Sequence, residues 1–322
     1  MFECSSSDRR SQGVPPEKGQ QTWKGKVNTM PEKHSDTPSP PVTVYRPNQR
    51  HELGLLHTWT IMAKNVWAAR ELIWQLFKRD FFAGYKKSFL GITWIFINPI
   101  IGVIPWVFAW KVNFIRPGDT EVSYPVYVLL GKSMWSLFMG FYGSASSTLG
   151  AGSGLLLQVN YPHEALLFKQ LATQLSGYLL TFVTNLVVMM AFGVFPSWWI
   201  LALPLAVLPL FFLGAAMGLI VGMIRIVAQD LDRIIGMAMG LLMWTTPIVY
   251  SNNIESLFVR TLIKWNPLTY IVCSCRDIMV HGRFYEHNAA AYFGCAAICL
   301  VLFLISWRLF YVSENKLIER MI

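Results

Sequence analysis

Residues 67–99 read WAARELIWQLFKRDFFAGYKKSFLGITWIFINP. The first two thirds are basic and partly amphipathic, and from Ser88 onward the chain is uncharged and apolar as far as Trp110. Taken at about 100° per residue, Glu71, Gln75, Lys78, Arg79 and Lys86 share one arc, while Val66, Ile73, Trp74, Phe77 and Phe81 gather on the other. This pattern predicts an interface helix over 66–86 lying on a bilayer surface and joined to a first membrane span.

The whole composition agrees with that start. Hydrophobic residues make up 54% of the 322 residues and charged residues only 14%, where a soluble domain carries roughly a quarter charged. The mean hydropathy is +0.41. A soluble globule is excluded, and the class is an all-α polytopic membrane protein. The net charge of +9 is unevenly placed: residues 61–87 hold six Lys/Arg against two acids, beside the first span. A basic flank there follows the positive-inside rule and suits anionic membrane lipids, so nucleic acid is not a partner.

Residues 1–60 are polar and Pro-rich (SSSDRRSQGVPPEKGQ, HSDTPSPPVTVYRP) with no apolar core of a signal peptide, and are expected to form a disordered cytosolic tail. The five cysteines suggest neither disulfides nor a metal site; Cys273, Cys275, Cys295 and Cys299 read as small buried apolar side chains.

Six apolar blocks follow, at 89–110, 125–149, 171–195, 198–224, 231–250 and 289–307, each near the ~20 residues that cross a hydrocarbon core. No charged residue stands between Lys169 and Arg225, and Pro196 with Ser197 is the one turn signal there, which predicts a tight hairpin of two spans. With six crossings and a cytosolic N-terminus, the C-terminus is cytosolic too. Twelve Lys/Arg of residues 61–322 then fall inside and six outside, with Lys132 within a span. The fifth connection, 251–288, is unusually apolar for a loop. It is expected to fold back into the membrane as a re-entrant segment of short helices broken at Asn266 and Pro267, and such backbone needs burial in protein or a wet cavity.

Two motif fragments fail on inspection. Gly131, Lys132 and Ser133 mimic the end of a phosphate-binding loop, but Val126 stands where its first glycine must be. His163 and Glu164 resemble the start of a zinc-protease helix, but Leu167 occupies the second histidine position. Lys132 has two readings: snorkelling to the outer headgroups, or a place in a translocation pathway facing an anionic phosphate. Asp80 falls on the apolar side of the interface helix, either paired locally with an arginine or docking a cytosolic partner. Asp230, Asp232 and Arg233 open the fifth block, where carboxylates suit a helix N-terminus. Of the many aromatics, Trp94, Tyr127, Trp135 and Tyr142 are candidates to line a sugar path, against the ordinary reading of interfacial belts and packing.

The order of these features resembles the permease subunit of ABC-2 type exporters of polysaccharides, the group that handles O-antigen, capsule and teichoic acid. The resemblance covers about residues 61–322 as one transmembrane domain. It rests on Arg70, Glu71 and Leu72 through Phe77, Lys78, Arg79 and Asp80, then Tyr85, Ser88, Phe89, Leu90, Gly91, Trp94 and Pro99. A second set is Gln229, Asp230 and Leu231, then Pro247 to Tyr250, Asn266, Pro267, Leu268, Thr269 and Arg276. It implies a coupling helix at about 153–165 resting on an ATPase, with Leu156, Gln158, Tyr161, Pro162, His163 and Glu164; Gln158 or Leu157 stands where the family's usual lysine would be. Lys78, Arg79 and Asp80 become further candidates for that contact. It implies outer gate helices around Pro247, Tyr250, Asn266, Pro267 and Arg276. It also implies a homodimer in the bacterial inner (plasma) membrane with a separate ABC ATPase that binds ATP and Mg, and a lipid-linked polysaccharide as cargo. No catalytic residue, cofactor or metal is then expected on this chain, which would be a transport permease and not an enzyme. Two alternatives differ in cargo or class: an exporter of a drug or other amphiphile, and a membrane-embedded glycosyl- or acyltransferase.

Overall fold

The computed structural model of the protein describes residues 54–86, 89–148, 163–251, 257–285 and 288–321. The tail up to residue 53 and the part of the expected coupling helix from 153 to 162 lie outside them. In chain order the helices are α1 (Leu55–Ala68), α2 (Arg70–Lys86), α3 (Thr93–Lys111), α4 (Tyr124–Ser146) and α5 (His163–Ala191). After a 3-10 turn (Trp198–Ala202) and a single α-turn (Leu203–Ala206) come α6 (Leu208–Val227), α7 (Gln229–Trp244), α8 (Leu257–Trp265), α9 (Pro267–Val280) and α10 (Ala289–Met321). No strand occurs among the described residues.

The centre of the bundle is α4, most of whose 23 residues are buried. Around it pack α3, α5, α6 and α9, and α10 lies along α6. The α4–α6 contact is the most extensive in the chain, and glycine is its cause. Gly214, Gly218 and Gly222 are spaced by four on α6 and face α4 backbone to backbone. A Cβ on Gly214 would lie 2.8 Å from the Phe138 carbonyl, one on Gly222 2.8 Å from the Ser146 carbonyl, and one on Gly218 2.7 Å from Ala145 Cβ. In a membrane, where lipid tails are as apolar as leucine, close packing of this kind is what holds helices together. An aromatic seam extends it: Phe211 meets both Phe141 and Phe303 at 5.4 Å, Phe303 stacks on Trp307, and Trp307 meets Phe168 of α5.

Among the described residues, four helical segments are long and apolar enough to cross a membrane: Gly91–Lys111, Glu164–Ala191, Trp198–Val227 and Ala289–Ser313. They correspond to the first, third, fourth and sixth blocks read from the sequence, and the turn expected at Pro196 and Ser197 separates two of them. The second block forms α4, long enough at 23 residues but diluted by Gly, Ser, Tyr and Lys132; its neighbours are other helices, so it has little need of lipid-facing side chains. The fifth block is shorter than its apolar run. Helix α7 stops at Trp244 after 16 residues, because Pro247 lacks an N–H and disfavours helix at the residue before it. Thr245 and Thr246 turn their hydroxyls back to the Leu242 carbonyl at 2.9 and 3.1 Å.

The chain upstream differs from the reading as a tail followed by one helix. Helix α1 begins at Leu55, buries Met62 and Thr58, and donates the Trp59 indole N–H to the Leu304 carbonyl of α10 at 3.3 Å. Ala69 interrupts the run before α2 starts. On α2 the buried stripe is Leu72 and Leu76, packed on Leu166 of α5, while Trp74 is 55% exposed beneath the Lys78 ammonium.

Candidate functional site

Three places hold the polar chemistry of this chain, at the two ends and the middle of the bundle. The first is the non-helical segment 245–251 between α7 and α8. Thr246, Ile248 and Val249 in it are buried, so each carbonyl needs a partner from the protein. The partners are side chains from α4 and α9. Tyr124 donates to the Val249 carbonyl at 3.0 Å, Tyr127 to the Tyr250 carbonyl at 2.9 Å, and Arg276 Nη1 to the Pro247 carbonyl at 3.2 Å. Asn266 donates to the Thr246 hydroxyl at 2.9 Å, while its own Oδ1 accepts the Leu268 N–H and so caps α9, with Pro267 in the first turn. The Tyr250 hydroxyl returns to the Trp244 carbonyl. Gly131 lets this strap lie against α4, since a Cβ there would come within 3.0 Å of the Ile248 carbonyl.

Arg276 is the hub of this clasp. It is 5% exposed, and three groups compensate its charge: the Tyr127 ring face at 3.9 Å, the Pro247 carbonyl, and Asp277 Oδ1 at 3.7 Å. Pro247, Tyr250, Asn266, Pro267 and Arg276, five residues singled out from a scattered sequence pattern, thus converge. Tyr127, read as a sugar-path residue, belongs to the same assembly. Two further ties join residues that no local pattern pairs. Glu121 receives His281 Nε2 at 2.7 Å and Arg283 at 2.9 Å, and the Ser251 N–H meets the Pro117 carbonyl at 2.6 Å, so the loop after α3 is fastened over the strap. A cavity of about 110 Å³ lies among Tyr127, Asp277, Arg276 and Glu121.

At mid-depth, Lys132 is half-buried on α4, and its Nζ lies 3.6 Å from Met243 Sδ. Next to it, Ser133 donates to the buried Asn185 of α5 at 3.0 Å. The other aromatic candidates separate here. Trp94 is 39% exposed near the start of α3, whereas Trp135 packs on Phe138 and, like Tyr142, is buried. Within one chain they do not form a common surface with Lys132.

The third place is the opposite end. Asp80 faces α5, as its angular position on α2 indicated: its Oδ2 accepts from Lys169 Nζ at 2.7 Å and its Oδ1 from Arg79 Nε at 2.9 Å. Burial by itself would raise the Asp80 carboxyl, but the bonds from Lys169 and Arg79 outweigh it and hold it below the ordinary value of 3.8. The local arginine pair and the longer-range tie therefore coexist. Lys169 lies within two turns of Glu164, a buried residue in the first turn of α5. His163 opens that helix, and Leu156, Gln158, Tyr161 and Pro162 lie outside the described residues. At the start of α7, Asp232 pairs with Arg225 at 2.8 Å, and Asp230 is 3.9 Å from Arg233, an exposed pair at a helix N-terminus. Among the described residues no group of three or more His, Cys, Asp or Glu side chains converges to hold a metal ion.

Comparison with characterised proteins agrees with this architecture. The chain is 26% identical over 257 residues to the O-antigen export system permease protein RfbA of Myxococcus xanthus, covering 79% of this chain and 96% of that one. Two proteins of the same description from Klebsiella pneumoniae are 22% and 19% identical, each over 69% of this chain and 86% and 85% of their own length. The chain is similar to O-antigen export permeases. The resemblance read from its sequence is borne out, although no protein-family profile matches it. A multi-pass permease also accounts for the four long apolar helices.

Proposed function

We propose that this chain is the membrane permease of an ATP-driven exporter that moves a lipid-linked polysaccharide across the plasma membrane to its outer face. The observation that carries the reading is the similarity, over 79% of this chain and 96% of the relative's length, to a permease described as part of an O-antigen export system. In this reading two copies of the chain assemble with a separate ABC ATPase, which supplies ATP and Mg. Helices α4 and α7 complete six crossings, with both termini cytosolic, α2 lies on the inner surface, and α8 and α9 form the re-entrant outer gate under the clasp of Arg276.

Energy would enter at 153–165. The tie of Asp80 to Lys169 supports this, because it joins the surface helix α2 to the first turns of α5, immediately after that segment. A displacement imposed there by closure of the ATPase would pass to α2 and α5 together. The test is reconstitution of the chain in vesicles with the ATPase that copurifies with it. Wild type should deliver polysaccharide in an ATP-dependent manner, and Tyr161→Ala with Pro162→Ala should hydrolyse ATP without export. Full transport by that variant would refute the coupling assignment, and activity of the purified chain with no ATPase would refute the transport reading.

A further inference from the structure

The cleft between α3, α4 and α5 holds two cavities of different chemistry, which lie along the same three helices and share no lining residue. Towards the C-terminal ends of α3 and α5, a cavity of about 400 Å³ is lined by Ile104, Phe108, Leu129, Val188 and other apolar side chains, with Lys111 at its edge. Further along the same three helices, a second cavity of about 400 Å³ is lined by Asn98, Lys132, Ser136, Gln174 and Thr181 among others. Its space comes from glycine. Gly102 and Gly177 both line it, and a Cβ on either would meet nothing within 4 Å, in contrast to the tight glycines of the α4–α6 contact.

Lys132 gives the cleft its sign. An ammonium inside a span costs a few kcal/mol unless it is paired or wet, yet among the described residues its Nζ has only the Met243 thioether, a weak acceptor, and no carboxylate. Of the remaining polar lining, Thr181, Ser133 and Tyr178 donate their hydroxyl protons within the protein, which leaves the Ser136 hydroxyl and the Asn98 and Gln174 amides to donate to anionic oxygens. Pro99, also in the lining, has no N–H to return to the Ile95 carbonyl, so a polar backbone group faces the same need for a partner. The outer wall is loose: of the residues on α3 only Val103 is buried. A lone cation with hydroxyl and amide neighbours, continued by an apolar trough, matches one kind of occupant, a phosphate joined to a hydrocarbon chain.

We infer that this cleft within a single chain is a binding site for a lipid phosphate, with the phosphate on Lys132 and the hydrocarbon tail along the apolar half. Resting on the proposed function, the occupant during transport is the phosphate of the carrier lipid. Binding itself, however, requires neither the ATPase nor a glycan.

The experiment uses the full chain in nanodiscs of zwitterionic lipid and measures binding of a long-chain polyprenyl phosphate. The uncharged polyprenol and inorganic phosphate serve as competitors. Wild type should bind the phosphate lipid saturably, with little competition from either. Lys132→Met should weaken binding about tenfold or more, the loss expected for a charge-assisted hydrogen bond, and Lys132→Arg should restore most of it. Gly177→Leu should also abolish binding by filling the cleft while the thermal midpoint stays near wild type. Binding unchanged in both Lys132→Met and Gly177→Leu would overturn the inference. So would a polyprenol that competes equally, or inorganic phosphate that displaces the lipid completely. The same variants, assayed for export with the ATPase, should be impaired; wild-type export in both would overturn the placement of the carrier lipid here. Lipid binding that depends on Lys132 in a chain that exports no polysaccharide would leave the site standing and sink the function.

Discussion

Replacing Asp80 and Lys169 singly and together should reveal how firmly α2 is joined to α5. The oxygen and nitrogen are 2.7 Å apart, with the lysine side chain 11% exposed and the carboxylate 32%. That places the pair between an exposed ion pair, worth up to ~1 kcal/mol, and a buried one, where removing one partner costs ~3–5 kcal/mol. A coupling energy of about 1–2 kcal/mol is expected from a double-mutant cycle of Asp80→Asn and Lys169→Met, read from unfolding in detergent. The order of the single variants is a sharper test. Asp80→Asn strands a lysine that is nine-tenths buried, while Lys169→Met leaves Asp80 still held by Arg79, so the aspartate change should cost more. The pH dependence has a definite sign. Because the folded carboxyl lies below 3.8, its contribution is complete above that value and is lost as pH falls through the lower folded one. Asp80→Asn should remove this acid-side loss and leave stability above pH about 5 with no new dependence. Additive single effects within ~0.3 kcal/mol, or an acid limb that Asp80→Asn leaves undiminished beside those of the other paired carboxylates, would refute the tie.

Arg276→Met should open the clasp over segment 245–251, since it removes the nearer of two donors to the Pro247 carbonyl and leaves Asp277 without its neighbour; a loss of ~3–5 kcal/mol is expected, seen as a lowered thermal midpoint and faster thiol labelling of a Val249→Cys reporter. Tyr127→Phe removes the hydroxyl's bonds to the Tyr250 carbonyl at 2.9 Å and the Pro247 carbonyl at 3.5 Å and should cost ~1–3 kcal/mol by the same measurements. Gly218→Val should destabilise by ~1–3 kcal/mol or more, because its Cβ would meet Ala145 Cβ at 2.7 Å. Gly143→Ala, whose Cβ meets nothing within 4 Å, is the control and should unfold like wild type.

The helices that the sequence made legible are those with long uncharged apolar runs, whether they face outward or, like α6, are mostly buried. Thr93–Lys111, His163–Ala191 and Ala289–Met321 carry long apolar runs because much of their surface is turned outward. Helix α4 was recognisable as an apolar block, but its central position was not, since burial among other helices selects for small and polar residues as readily as for leucine. The residues of the Arg276 clasp were singled out through the resemblance, and their convergence follows from a backbone requirement that the sequence states only once, at Pro247. Lys169 and Glu121 were missed for a different reason. Their partners stand 89 and about 160 residues away, and neither periodicity nor local spacing reports such pairs. Leu72 and Leu76 were missed because α2 has two apolar faces, and the more aromatic one dominated the angular reading.

The distribution of tight and loose contacts bears on how such a bundle can move. Where Gly214, Gly218 and Gly222 meet α4, backbone lies against backbone and no side chain is free to readjust, so α4 and α6 move as one body. The strap 245–251 is bonded to that body through Tyr124, Tyr127 and Arg276. Helix α5 is held differently, by Asp80 and Leu76 of α2 and Thr148 at its first turns and by the Ser133–Asn185 bond higher up, while α3 leans on the fixed body through Trp106 against Trp244 and Trp110 against Tyr124. A displacement applied before α5 therefore passes first to α5 and to α2, which Asp80 ties to it, against an α4 fixed to α6. The boundary along which those elements would slide is the cleft that contains Lys132. Lys132 itself rides on the fixed side, and Gln174 and Gly177 on the moving one, so the width of the polar half is set by the same motion that the Asp80–Lys169 tie would transmit.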